Sequence, residues 1–149
     1  TRSSSRLNGI RVNGVRASEF LLHRHAAALE GVPVAFVSGD RALCDEVRRH
    51  DEGIVTVDVG QGVGASTVGR HPAQVRDEIR SRSEAALRRD LAALPRQLPD
   101  GFVVEVHHKR ASAAYRASFY PGARLAHDDT VVFESEHWFD VLRALRFIT

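Results

Sequence analysis

The fold is decided by residues 31–50, which read GVPVAFVSGDRALCDEVRRH. Residues 34–37 form a compact apolar run, which is typical of a buried strand. The turn Ser38-Gly39-Asp40 follows, and residues 42–50 carry the spacing of a polar helix. This segment therefore predicts one strand, loop and helix unit.

The alternation of strand and helix continues on both sides of that unit. Further strands are predicted at 54–59, 102–106 and 131–133, and helices at 17–30, 72–94 and 137–147, with a hairpin around Asn8-Gly9 and Asn13-Gly14. Such alternation predicts an α/β fold, a three-layer arrangement with a mostly parallel or mixed sheet. In such folds the functional groups gather at strand ends.

A glycine-rich segment lies at residues 60–69 and includes Ser66 and Thr67. It lacks the Gly-Lys-Ser/Thr sequence of a phosphate-binding P-loop. We therefore predict a flexible loop at an active site or an interface.

Composition excludes several classes of protein. The chain has 149 residues, of which 43% are hydrophobic and 27% charged, as in one globular domain. No apolar run approaches the roughly 20 residues of a membrane span, so we expect no membrane association. The net charge is +2, and basic residues alternate with acidic ones without interleaved aromatics, so we expect no nucleic-acid partner.

Cys44 is the only cysteine. The chain therefore has no internal disulfide framework, which predicts a reducing, cytoplasmic setting. A buried structural thiol is the simplest interpretation of this residue.

The sequence contains no methionine and begins with Thr1. We interpret the chain as a processed C-terminal piece, residues 1–149 being the C-terminal half of a single α/β hydrolase domain. Its expected partner is the N-terminal chain of the same precursor, which would complete the sheet.

Thr1 is the first catalytic candidate. An N-terminal threonine combines a hydroxyl nucleophile with an α-amino group of pKa about 8, which can serve as its base. Self-cleavage before Thr1 would expose such a nucleophile. A trimmed chain boundary with no catalytic role is the alternative.

Glu19 and His23 stand four residues apart on a predicted helix and therefore share one face. Together they are candidates for catalysis, and such a pair can also contact one metal ion or simply form a surface contact. Ser38 and Asp40 follow a buried strand and are candidates for substrate binding, Asp40 through a substrate amine. Asp40 is equally suited to capping the next helix.

The motif order resembles the second half of the DppA-type zinc D-aminopeptidases. Asn13-Gly14, Glu19, the Val-Pro-Val strand at 32–34 and Gly39-Asp40 stand in the order and spacing of that family. The likeness continues through His71-Pro72, the strands at 103–105 and 131–133, and Pro121-Gly122. It covers nearly the whole chain.

The resemblance implies a two-metal aminopeptidase site in which Glu19 is a zinc ligand and the other ligands belong to an N-terminal half. It also implies higher oligomers. Thr1 falls near the family's His-Ser or His-Thr step. The family has Gly and Asn where this chain has Ser18 and His23, and its Lys and Arg fall near Gly60 and Gly64.

These departures favour a rebuilt mechanism over the standard one. The leading hypothesis is a peptide or amide hydrolase with Thr1 as nucleophile, in which Glu19 and His23 orient the α-amino group or the substrate. The alternatives are a zinc-dependent D-aminopeptidase of the DppA type and a non-catalytic peptide-binding subunit.

Overall fold

The structure, a computed structural model, describes residues 6–149. The strands are β1 Leu7–Val12, β2 Val15–Arg16, β3 Phe36–Gly39, β4 Val55–Asp58, β5 Gly60–Val63, β6 Ser66–Gly69, β7 Phe102–His108, β8 Ala123–His127 and β9 Thr130–Ser135. The helices are α1 Glu19–Leu29, α2 Arg41–His50, α3 Pro72–Leu87, α4 Ala111–Ala117 and α5 Trp138–Ile148, with a 3₁₀ turn at Leu91–Ala93. These elements form two compact units.

The first unit comprises the chain up to Glu30 together with Gln97–Thr149. Its sheet has the strand order β2-β1-β7-β9-β8, and every pair in it is antiparallel. Along β7, buried Phe102, Val104 and Val106 alternate with the more exposed Val103 and Glu105. This period of two, a property of extended backbone, assigns one face of the sheet to the core.

Helices cover the buried face of this sheet. α5 packs on β7 and β9, α4 packs on the same two strands, and α1 packs on α5. The core contains Val104, Val131 and Trp138, all at most 1% exposed. Burial of these apolar side chains is the main stabilising contribution in the first unit.

The second unit comprises Gly31–Arg96. β3 and β4 pair in parallel, with Gly39 opposite Asp58, and α2 and α3 pack on them. Cys44, Val47 and Val57 form the buried centre. The unit thus contains the strand and the helix predicted from residues 31–50. The predicted turn is shorter than expected, because Ser38 and Gly39 belong to β3 and only Asp40 separates this strand from α2.

The α/β class with strands of both directions is confirmed. Parallel pairing occurs only in β3–β4 among the described residues. The loop predicted at residues 60–69 is wrong, because β5 and β6 form an antiparallel hairpin there. Gly64, with φ of +59°, supplies the positive backbone angle of its turn. The single-domain assignment of residues 1–149 stays a prediction.

No helix among residues 6–149 has the length and apolar character needed to cross a membrane.

Candidate functional site

The start of α1 presents two of the predicted site residues. Ser18 caps the helix, since its hydroxyl accepts a hydrogen bond from the Leu21 amide at 3.2 Å. Glu19 is the first helical residue and His23 follows one turn later, and both side chains are exposed. The structure therefore brings these two residues to one exposed face of α1, as their spacing predicts.

The opposite side of α1 is anchored in the core. Phe20, Leu21 and His25 are buried. The His25 ring lies 4.8 Å from the Trp138 ring and 5.8 Å from the Phe102 ring, edge-on in both cases. Because the buried face is fixed in this way, the helix holds Glu19 and His23 on a rigid support.

The donor set for a metal ion is incomplete within residues 6–149. No group of three or more His, Cys, Asp or Glu side chains there is arranged to hold a metal. Glu19 and His23 offer one carboxylate and one imidazole, both ordinary zinc ligands. They fit a metal site as contributors, but a zinc site needs further ligands.

Ser38 and Asp40 lie in the second unit, at the carboxyl end of β3. Ser38 is exposed and stands opposite Val57 of β4. Asp40 is the N-cap of α2, because its Oδ1 accepts a hydrogen bond from the Leu43 amide at 2.8 Å. The capping role is therefore present, and the substrate-binding role of both residues stays a prediction.

Asp58 is a polar residue at this sheet end that the sequence analysis did not single out. It closes β4 opposite Gly39, with Arg70 Nη1 at 3.9 Å from Oδ1 and Arg41 Nε at 4.0 Å from Oδ2. Its Oδ1 is buried without a hydrogen-bond partner among the described residues. Asp40 was predicted because ligands bind at the carboxyl ends of strands in α/β folds. The same argument applies to Asp58, so this residue could have been found from the sequence.

Arg70 links this carboxylate to α3. Its guanidinium donates to the Asp58 carbonyl at 2.7 Å and to Glu78 Oε2 at 2.6 Å. The hydrogen bond from Arg70 lowers the pKa of Glu78. The charges at this end of β4 therefore form a connected network rather than isolated groups.

Cys44 is fully buried in α2. Its Sγ lies 3.8 Å from the Gly39 carbonyl, and burial raises the pKa of the thiol. A raised pKa disfavours the reactive thiolate. These features agree with the structural role expected from the sequence.

Comparison with known proteins identifies the family. The model of the D-aminopeptidase family matches residues 1–147. The chain belongs to the D-aminopeptidase family. No match was found among curated protein sequences.

A solved structure of the same fold is the Zn-dependent D-aminopeptidase DppA from Bacillus subtilis, described as a self-compartmentalizing protease. It superposes with a TM-score of 0.86 at 21% sequence identity, over 96% of this chain. The match covers 53% of the DppA chain, so this chain spans about half the length of that structure. The resemblance to DppA-type enzymes inferred from the sequence motifs is thus confirmed.

Membership of the D-aminopeptidase family does not test the individual site residues. Thr1 lies outside the described residues, and its role as a nucleophile stays a prediction. The roles of Glu19 and His23 stay predictions as well, although both stand exposed on α1.

Proposed function

We propose that this chain forms part of a metal-dependent aminopeptidase that removes D-configured residues from the amino end of short peptides. Family membership supports the reaction class. The observation that carries the proposal is the exposed Glu19 at the capped start of α1, at the position where the resemblance expects a metal ligand. This function replaces the Thr1 mechanism as the leading hypothesis.

Glu19 would hold the zinc through its carboxylate, with His23 beside it on the same helix face. Zinc, when bound, supplies Lewis-acid activation of water and of the scissile carbonyl. This chain positions the Glu19 carboxylate, because the Ser18 cap and the buried Phe20 fix the backbone that carries it. The exposed imidazole of His23 is suited to orient the peptide or to accept a proton from it.

The remaining ligands would come from a polypeptide equivalent to the other half of the DppA chain. The absence of a three-ligand cluster among residues 6–149 supports this requirement. We propose the N-terminal part of the same precursor as that partner. Because DppA is described as self-compartmentalizing, we also propose that the complete protein assembles into a higher oligomer.

Ser38 and Asp40 are proposed to bind the peptide. Asp40 uses Oδ1 for its helix cap, and its negative charge remains suited to attract a substrate ammonium group. A buried Cys44 as the only cysteine supports a reducing, cytoplasmic setting for this reaction.

The test compares Glu19→Gln with Glu30→Gln in the complete gene product. Glu30 is an exposed carboxylate at the other end of α1, so it is a matched control. Zinc per chain is measured by mass spectrometry, and hydrolysis is followed with D-alanine p-nitroanilide. We expect Glu19→Gln to lose zinc and about 100-fold or more in kcat/KM, because a metal contributes several kcal/mol to the transition state.

A chelator should abolish wild-type hydrolysis, and added zinc should restore it. Hydrolysis by a zinc-free protein would contradict the proposal. In that event the activity of Thr1→Ala is measured next, because loss of hydrolysis in this variant would favour the N-terminal nucleophile. Peptide binding without any hydrolysis would instead favour a non-catalytic subunit.

A further inference from the structure

A cavity of about 250 Å³ opens on the first unit's sheet, and we name it the β1 cavity. Its lining residues are Asn8, Gly9, Ile10, Arg11, Arg16, His107 and Asp129. None of the residues assigned to the proposed peptidase site lines it. The cavity is therefore a feature that the proposed function does not use.

Strand register explains why the cavity exists. Gly9 stands opposite His107, whereas the next pair, Ile10 and Val106, belongs to the core. Gly9 and His107 therefore share the sheet face that points away from the core. A Cβ built on Gly9 meets no atom within 4 Å, so the missing side chain leaves open space above this face of the sheet.

One end of the β1 cavity carries two arginines, and Glu105 of β7 stands opposite Arg11 on its other side. Arg11 and Arg16 stand directly opposite each other in the β1–β2 pair. Like charges in that position repel. Arg11 donates to the Gly14 carbonyl at 3.0 Å, and among residues 6–149 neither guanidinium forms an ion pair. A bound anion would relieve this repulsion, and a guanidinium pairs well with a carboxylate.

The other end carries a carboxylate whose surroundings are fixed. Thr130 donates its hydroxyl proton to Asp129 Oδ1 at 2.8 Å. Since that hydroxyl has one proton, its contact with His107 Nδ1 at 3.0 Å requires Nδ1 to be the donor. Among the described residues, the Asp129 carboxylate thus accepts one hydrogen bond and keeps acceptor capacity and charge for a cation.

We propose that the β1 cavity binds a small zwitterion of the α-amino acid class. Its carboxylate pairs with Arg11 and Arg16, and its ammonium group pairs with Asp129. Opposite charges at the two ends of one cavity distinguish such a ligand from a simple anion. The volume is smaller than the roughly 300–1,000 Å³ of drug-sized ligand sites, which suits a molecule of this size.

The experiment titrates the complete protein with alanine and follows the imidazole nitrogen resonances of His107 by NMR, assigned with His107→Gln. Acetate, ethylamine and inorganic phosphate are titrated in parallel as the separate charges. We expect alanine to shift the His107 resonances with an affinity at least about tenfold greater than any of these. Equal shifts with acetate or phosphate would overturn the proposal, because they indicate unspecific anion attraction.

Two variants test the location. Gly9→Val fills the open space with a residue suited to a strand, and Gly62→Val is its control, because Gly62 is also a strand glycine with free space. Arg16→Gln removes one exposed charge without touching the core. Both Gly9→Val and Arg16→Gln should weaken alanine binding at least about tenfold, and Gly62→Val should not.

Unchanged alanine affinity in Arg16→Gln and in a folded Gly9→Val would overturn the assignment. Glu19→Gln is measured alongside them. It should bind alanine normally, since Glu19 does not line the cavity. The titration measures binding alone. A failure of the proposed amino acid site can therefore be distinguished from a failure of the proposed hydrolysis.

Discussion

Asp40 shows how a single side chain is suited to two roles. Its Oδ1 caps α2, and its charge lies at the carboxyl end of β3, where ligands bind in α/β folds. The cap needs only an oxygen acceptor, whereas attraction of a substrate ammonium group needs the negative charge. Substitutions can therefore separate the two roles.

We predict that Asp40→Ala lowers the free energy of unfolding by about 1 kcal/mol, because the Leu43 amide loses its acceptor. Asp40→Asn should retain nearly all of the stability, since asparagine is an equally good cap. Urea denaturation measures both variants, and Asp77→Ala in α3 is the control for removal of an exposed acid. A stable Asp40→Asn variant with a raised KM would support the substrate role, and an unchanged KM would leave only the cap.

The site residues that could be predicted from the sequence are those whose placement depends on neighbouring positions in the chain. Glu19 and His23 share a face because they are four apart, and Ser38 lies near the end of β3, with Asp40 directly after it. The contact between His107 and Thr130 was missed, since these residues are 23 residues apart and meet only through the pairing of β7 with β9. No periodicity of the sequence reports which strands will pair, so the β1 cavity was not predictable.

The β5–β6 hairpin differs most from its prediction, because the glycine content of residues 60–69 suggested a loop. These glycines lie at 60, 62, 64 and 69, whereas Val63 and Val68 are good strand residues. Gly60 has a φ of +156°, and a Cβ there would lie 2.6 Å from the Val68 carbonyl oxygen. This glycine therefore permits the close approach of the two strands rather than freedom of the backbone.

We predict that Gly60→Ala destabilises the second unit by about 1–3 kcal/mol, because the methyl group collides with backbone and the φ value is unfavourable. Gly62→Ala, two residues along the same strand, meets nothing within 4 Å and should be nearly neutral. Limited proteolysis at residues 60–69 and thermal denaturation compare the pair. Equal stability of the two variants would show that the hairpin does not constrain residue 60.

The presence of a long helix was predicted more accurately than the residue at which it ends. The predicted helix at 72–94 begins at Pro72 as expected, but α3 ends at Leu87 and a separate 3₁₀ turn follows. Asp90 starts that turn by accepting a hydrogen bond from the Ala92 amide at 2.9 Å. Local side-chain acceptors of this kind compete with helix propagation, which hydrophobic spacing alone does not reveal.

At the scale of the whole molecule, the stability of the chain should depend on His108. This histidine is buried at 4% exposure in β7, and burial lowers the pKa of its ring, opposed by nearby Asp129 and assisted by His107. The unfolded chain therefore takes up the proton at a higher pH than the folded chain does. Protonation at low pH consequently favours the unfolded state.

We predict that the free energy of unfolding is constant with respect to this group above about pH 7.5 and falls as the pH drops below about 6.5, the ordinary histidine pKa. His108→Gln should reduce this pH dependence, whereas His127→Gln, at an exposed position, should leave it unchanged. Urea denaturation at a series of pH values gives the slopes. An identical slope in His108→Gln would contradict the assignment.

Trp138 is the only tryptophan of the chain. It lies in the core of the first unit at 1% exposure, 4.8 Å from the ring of Phe102 and 4.8 Å from that of His25. All indole emission of this polypeptide therefore originates beside α1, the helix that carries Glu19. The indole emission therefore reports on the core of the first unit. Unfolding of this core can be followed separately from that of residues 31–96 without an added fluorophore.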